Sequence, residues 1–189
     1  MSVKPLKRSI VVSSADATGS TIQPFSDSTV VITNRQRSKG VNLRLLKQIA
    51  AALLAELGLK TVELGINLVG AKEMTRLNET FVRHKGSTDV IAFDYADKGR
   101  PTAAGRSRAL HGEICICVDE AVLQARRFGT SWQSEIVRYL IHGILHLLGF
   151  DDADTGARRK MKREENRWLR RISLRFSLAP LSRPVKISA

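Results

Sequence analysis

The sequence predicts an α+β fold: one domain in which a mixed sheet of about four strands is packed by about five helices, with a metal site at the end of a central helix. Three observations lead there. Short β-branched or alternating runs are interleaved with longer stretches of helical period. No repeat and no internal linker breaks the pattern, so a single core is expected. Near the end of one apolar helical stretch, two histidines stand four apart, followed by a glycine and two aspartates.

Residues 1–28 are rich in Ser, Thr, Lys and Asp without a period and read as a flexible N-terminal extension. The short run Ile10–Val11–Val12 inside it is a weak strand signal. The domain, residues 29–172, opens at Thr29–Val30–Val31–Ile32–Thr33, a β-branched strand. From Asn42 to Leu57, Leu and Ala recur at helical spacing, and Gly58 supplies the stop. Thr61–Val69 alternates as a strand does. Ala71 to Val82 reads as a helix with Met74, Leu77 and Phe81 on one side. Val90–Phe93 is a third strand and residues 112–118 a fourth, with an exposed loop expected between them from Asp97 to Arg108. Helices follow at about 119–128, 132–148 and 154–172, and residues 173–189 read as a basic C-terminal tail.

The charge balance narrows the partners. Lys and Arg number 31 against 18 Asp and Glu, a net charge of +13, which points to a polyanion such as RNA, DNA or an acidic surface. Much of the excess lies in the last helix, where Arg158, Arg159, Lys160, Lys162, Arg163, Arg167, Arg170 and Arg171 surround Trp168 and Leu169. One side of that helix packs while the other is free to meet phosphates. No run approaches the roughly 18 apolar residues of a membrane span, and no secretory leader is evident. Cys115 and Cys117 alternate on one face of a strand, where small core residues are expected rather than a disulfide. A reduced, cytoplasmic protein is the expectation.

The chemistry concentrates between Ile141 and Asp152. His142 and His146 project from one face of a helix, so their imidazoles can share one ion. Gly149 turns the chain back and brings Asp151 and Asp152 towards them. The pattern His-x3-His-x5-Asp offers two nitrogens and a carboxylate, leaving a position open for water as in a catalytic zinc site. In a zinc peptidase of the His-Glu-x-x-His type, the general base follows the first histidine. Here that place is Gly143, which neither takes nor gives a proton.

These motifs resemble the YbeY endoribonucleases, the ribosomal-RNA maturation factors. His142-Gly-x-Leu-His146-Leu-x-Gly149-Phe-Asp-Asp152 is similar to their His-Gly-x-Leu-His-Leu-x-Gly-Tyr-Asp-His signature. Leu77–Asn78 through Thr88–Asp89–Val90–Ile91–Ala92–Phe93–Asp94–Tyr95 resembles a second signature, and Gly112–Glu113–Ile114–Cys115–Ile116 a third. The resemblance implies one Zn2+ per chain, bound by His142, His146 and Asp152, the last in place of the usual histidine. An Asp oxygen binds zinc at similar distance, and its charge weakens slightly the acidification of a bound water. The register of the resemblance favours Asp152 over Asp151. It also implies an active arginine four residues after Asn78, but Val82 stands there, so Arg83, beside His84 and Lys85, becomes the candidate for phosphate contact.

What the resemblance implies, then, is a zinc-dependent, single-strand-specific endoribonuclease acting in 3′-end maturation of 16S ribosomal RNA and in ribosome quality control. Its partners would be single-stranded RNA, ribosomal RNA and ribosomal subunits. Arg83 or Lys85 would stabilise the transition state, and Glu113, Asp89 and Asp151 are candidates for accepting a proton. Two other classes stay open: a ribosome-assembly RNA-binding protein with a structural metal, and a zinc hydrolase of another substrate class, a peptidase or amidase.

Overall fold

The computed structural model describes residues 11–13, 29–95 and 109–184. The expected loop at Asp97–Arg108, and all of the N-terminal extension except Val11–Ser13, lie outside the described residues. In chain order the elements are β1 (Val11–Ser13), β2 (Thr29–Asn34), β3 (Gly40–Val41), α1 (Leu43–Glu56), β4 (Thr61–Val69) and α2 (Ala71–Leu77). After a π-helical turn at Asn78–Val82 come β5 (Val90–Asp94), β6 (Ala109–Cys117), α3 (Val118–Phe128), α4 (Trp132–Leu147) and α5 (Thr155–Arg175). A 3₁₀ turn at Ala179–Leu181 leads into β7 (Ser182–Arg183).

The four expected strands form one mixed sheet, joined by the short β1, in the order β1-β5-β6-β4-β2. Only β5 and β6 run antiparallel; β1 with β5, β6 with β4, and β4 with β2 are parallel. Alternation along the strands divides the side chains between two faces. Leu64, Ile66 and Leu68 of β4, Ile114 and Ile116 of β6, and Val90 and Ala92 of β5 join the main core with α1, α4 and α5. Ile91, Phe93, Cys115 and Cys117 face the other way and pack with Met74 and Val82. Both cysteines are buried and free, as small core residues.

The helix α4 is the centre of that core. Ser131 caps its start, accepting from the Ser134 amide. Leu140, Ile141, Ile144 and Leu145 are essentially fully buried, each contributing about 1.5–3 kcal/mol by leaving water. Gly143 lets the helix approach β6, because a Cβ there would stand 2.7 Å from Ile114 Cγ2. The residue that reads as a missing peptidase base therefore faces the sheet.

Two features depart from the sequence reading. The π-helical turn shifts the register after Leu77, so Asn78 and Val82 point inward while Phe81 is half exposed and meets Phe93 edge-on. Phe81 is thus not on the buried side with Met74. The boundary at 172 falls inside α5, and the segment beyond it returns to the domain. Leu181 is fully buried, its carbonyl accepts from the Asn42 amide at 2.8 Å, and β7 pairs antiparallel with β3.

Candidate metal centre

Residues 135, 138, 139, 142 and 146 lie along one face of α4, at the three- and four-residue steps that stack side chains on a helix. Past Leu147, Gly149 adopts φ 85°, the Gly149 amide reaches the His146 carbonyl at 2.9 Å, and the Phe150 amide reaches Leu145 at 3.0 Å. This glycine-led turn reverses the chain. It delivers Asp152 beside the histidines before Asp154 caps α5, accepting from the Gly156 and Ala157 amides.

His142, His146 and Asp152 converge. Their ligating atoms lie within 4.8 Å of one another, and all three side chains are buried. The two Nε2 atoms are 3.0 Å apart, and Asp152 Oδ1 lies 3.9 Å from His146 Nε2. Asp151 is exposed, its Oδ1 accepting from the amides of Asp152 and Ala153 at 2.7 and 3.1 Å. Its carboxylate holds the turn rather than the cluster.

The partners of the outer ring nitrogens fix the tautomers. His146 Nδ1 lies 3.0 Å from the Phe150 carbonyl oxygen, which can only accept, so Nδ1 carries the proton. His142 Nδ1 lies 3.2 Å from Glu165 Oε2. Burial pushes the Glu165 carboxyl up, but the hydrogen bonds and charges of His142 and Lys162 outweigh it and hold it at about 2. It is therefore ionised, and His142 Nδ1 also donates. Both Nε2 atoms then present lone pairs to each other at 3.0 Å, close to the roughly 3.3 Å between two nitrogens on a tetrahedral divalent ion. Burial, followed by the neighbouring His142, pushes His146 down to about 4, which keeps it neutral and ready to ligate. The donor set fits a divalent cation.

Glu165 is the residue the sequence reading missed. It is 1% exposed, and its Oε1 accepts from Arg138 Nη1 at 2.6 Å and Lys162 Nζ at 2.8 Å. Glu135, also buried, binds Thr130 Oγ1 at 2.7 Å and faces Arg138 Nε at 3.5 Å. The carboxylate of Glu165 thus orients His142, as such partners do around metal ligands. A signal was present: Met161, Glu165, Trp168, Leu169 and Ile172 form the buried stripe of α5, and Glu165 is its only charge.

The other candidates are scattered. Glu113 shares the strand face of Cys115, turned away from α4, and its side chain packs over Gly65. Asp89 is buried, and its Oδ1 accepts from Thr88 Oγ1 and the Val90 amide, both at 3.0 Å. Burial pushes its carboxyl up to about 6, against the pull of nearby His142. Arg83 ends the π-helical turn at φ 58°, exposed, and Lys85 is exposed on the loop beyond it. Neither lines the cavity of about 390 Å³ that opens beside His142 and Asp152 between α3, α4 and α5.

The family described as Endoribonuclease YbeY matches residues 31–173. The chain belongs to the YbeY family. The match contains all three motifs, which run from Leu77 to Asp152. An Endoribonuclease YbeY from Chlorobium luteolum is 30% identical over 141 residues, covering 75% of this chain and 96% of that protein. Another, from Chlorobium phaeovibrioides, is 34% identical over 125 residues, covering 66% of this chain and 78% of its own length. A solution structure of a Thermotoga maritima protein superposes with a TM-score of 0.57 at 20% identity, covering 85% of this chain and all of that one, which supports the fold. Among the described residues, no helix is long and apolar enough to cross a membrane.

Proposed function

We propose that this chain is a zinc-dependent endoribonuclease that cleaves single-stranded RNA, with His142, His146 and Asp152 as its metal ligands. The observation that carries the reading is the pair of facing Nε2 lone pairs beside a buried carboxylate, on a chain of net charge +13. When bound, the ion supplies a Lewis acid that activates water and polarises a phosphoryl oxygen.

The chain's own residues do the rest. Glu165 holds His142 in its ligating tautomer, and the Phe150 carbonyl does the same for His146. Asp89 is the candidate proton acceptor: it is within electrostatic reach of His142, and burial holds it near neutrality, where a general base works best. Arg83 keeps the role of phosphate contact. The basic face of α5 grips the RNA backbone, so binding falls steeply with salt. The substrate follows from the family likeness: the 3′ end of 16S ribosomal RNA, in its maturation and in quality control of ribosomal subunits in the cytoplasm.

The test is bound metal and cleavage of a single-stranded RNA, measured for wild type and Asp152→Ala. Stoichiometric zinc and cleavage in the wild type, both lost in the variant, are expected. Zinc without cleavage of RNA or of ribosomal subunits would mean a structural metal, and cleavage without metal would place the chemistry elsewhere.

A further inference from the structure

The cavity beside the metal centre is walled by residues that a metal site does not need. Phe128, the last residue of α3, stands at its rim with 48% of its surface exposed. The Arg127 guanidinium lies over the Phe128 ring at 5.5 Å from its centroid. Across the opening, α5 contributes Arg158, Arg159 and Lys162, while Met161 and the buried Tyr139 form an apolar wall. The hydroxyl of Tyr139 has no hydrogen-bond partner among the described residues.

The charges sort by whether they are already used. Lys162 is bound to Glu165, and Arg158 Nη2 donates to the Asp152 carbonyl at 3.1 Å. Arg127 and Arg159 are exposed and make no ion pair among the described residues. An apolar hollow of about 390 Å³, with an aromatic ring, one face of which already carries Arg127, and two guanidinium groups without ion pairs at its mouth, matches one anionic, flat-faced ligand. Nucleic-acid bases offer such a face only when they are unpaired.

We propose that this cavity is a nucleotide subsite: one unpaired base of the RNA stacks on Phe128, and the phosphates beside it rest on Arg127 and Arg159. The proposal rests on the endoribonuclease reading and deepens it. Preference for single strands then has a physical origin, because a paired base cannot enter and the backbone cannot follow without it. The subsite adjoins His142 and Asp152, so the base it holds belongs to a nucleotide next to the bond that is cut.

The experiment is an abasic scan. Twelve-nucleotide single-stranded RNAs, each lacking one base, are given to the metal-loaded protein and to its Phe128→Ala variant. Cleavage (kcat/KM) and binding (fluorescence anisotropy) are both read. In the wild type, one position next to the cleaved bond is expected to weaken binding and cleavage about tenfold when abasic, the low end of base–aromatic stacking. Phe128→Ala is expected to lose about tenfold on the intact RNA and nothing further on that abasic RNA, while keeping its metal. Arg127→Ala is expected to flatten the salt dependence of binding by about one phosphate contact.

A wild type indifferent to abasic sites at every position overturns the subsite, as does a Phe128→Ala variant as sensitive as the wild type. If the wild type cuts no RNA, the endoribonuclease reading fails separately, and the binding arm still decides the pocket.

Discussion

Replacing Glu165 by Gln tests the logic of the centre without touching a metal ligand. A Gln fills the same space, and its carbonyl oxygen can still accept from Arg138 and Lys162. Its amide then faces His142 Nδ1, where the native carboxylate accepts at 3.2 Å. Two donors cannot face each other, so His142 must move its proton to Nε2, the nitrogen that should ligate. Metal affinity is expected to fall about 10–100-fold, the usual cost of losing such a partner. A chelator-competition titration measures it.

Stability should fall as well. The Glu165 carboxyl is held at about 2 against an ordinary value of 4.5, a difference worth about 3 kcal/mol. The sign follows from the depressed value: the stabilisation is fully present above pH 4.5 and is lost as pH falls towards 2. Denaturant unfolding of metal-free protein at pH 7 should therefore put Glu165→Gln about 3 kcal/mol below the wild type, with the gap shrinking below pH 4. An unchanged metal affinity together with an unchanged midpoint at pH 7 would refute the reasoning.

Further outcomes follow from the same geometry. Gly143→Ala drives a methyl to 2.7 Å from Ile114 Cγ2 and is expected to cost about 1–3 kcal/mol in denaturant unfolding, while bound metal stays stoichiometric. Asp89→Asn keeps an acceptor for Thr88 and Val90 but removes a buried charge. Because burial raises Asp89 from 3.8 to about 6, its cost builds up as pH rises between those two values and is complete above the second, so the metal-free variant should be more stable than wild type above pH 6, by up to about 3 kcal/mol, and equal to it below pH 4. Arg83→Ala should weaken RNA binding with unfolding and metal content unchanged, and a fully active variant would release Arg83, one residue past the place the family likeness marks, from the role proposed for it.

Periodic signals explain what was legible in the sequence. The strands at Thr29–Asn34, Thr61–Val69 and Val90–Asp94 lie within a residue or two of their expected limits because side-chain alternation and turn residues mark both ends. The candidate metal cluster was legible because its members fall between residues 142 and 152 on one helix and one turn. The pairing of β3 with β7 was not, since two-residue strands have no period to read. Phe81 misled because helical spacing assumes an unbroken α-helix, and one π-helical turn rotates every later side chain. Glu165 was hidden in the most charged stretch of the chain, where one carboxylate among arginines looks solvated until the opposing helix is in place.

The burial of α4 separates two processes that small metal-binding domains usually join. In a zinc finger the ion is the core, and its removal unfolds the chain. Here the histidines ride on a helix already held by Leu140, Ile141, Ile144 and Leu145 against the sheet. Apolar burial thus orders the helix that carries both histidines, and little of the entropy of ordering that helix falls on metal binding. Withdrawing a metal from this centre is therefore expected to leave the scaffold folded, where in a zinc finger it would unfold the chain.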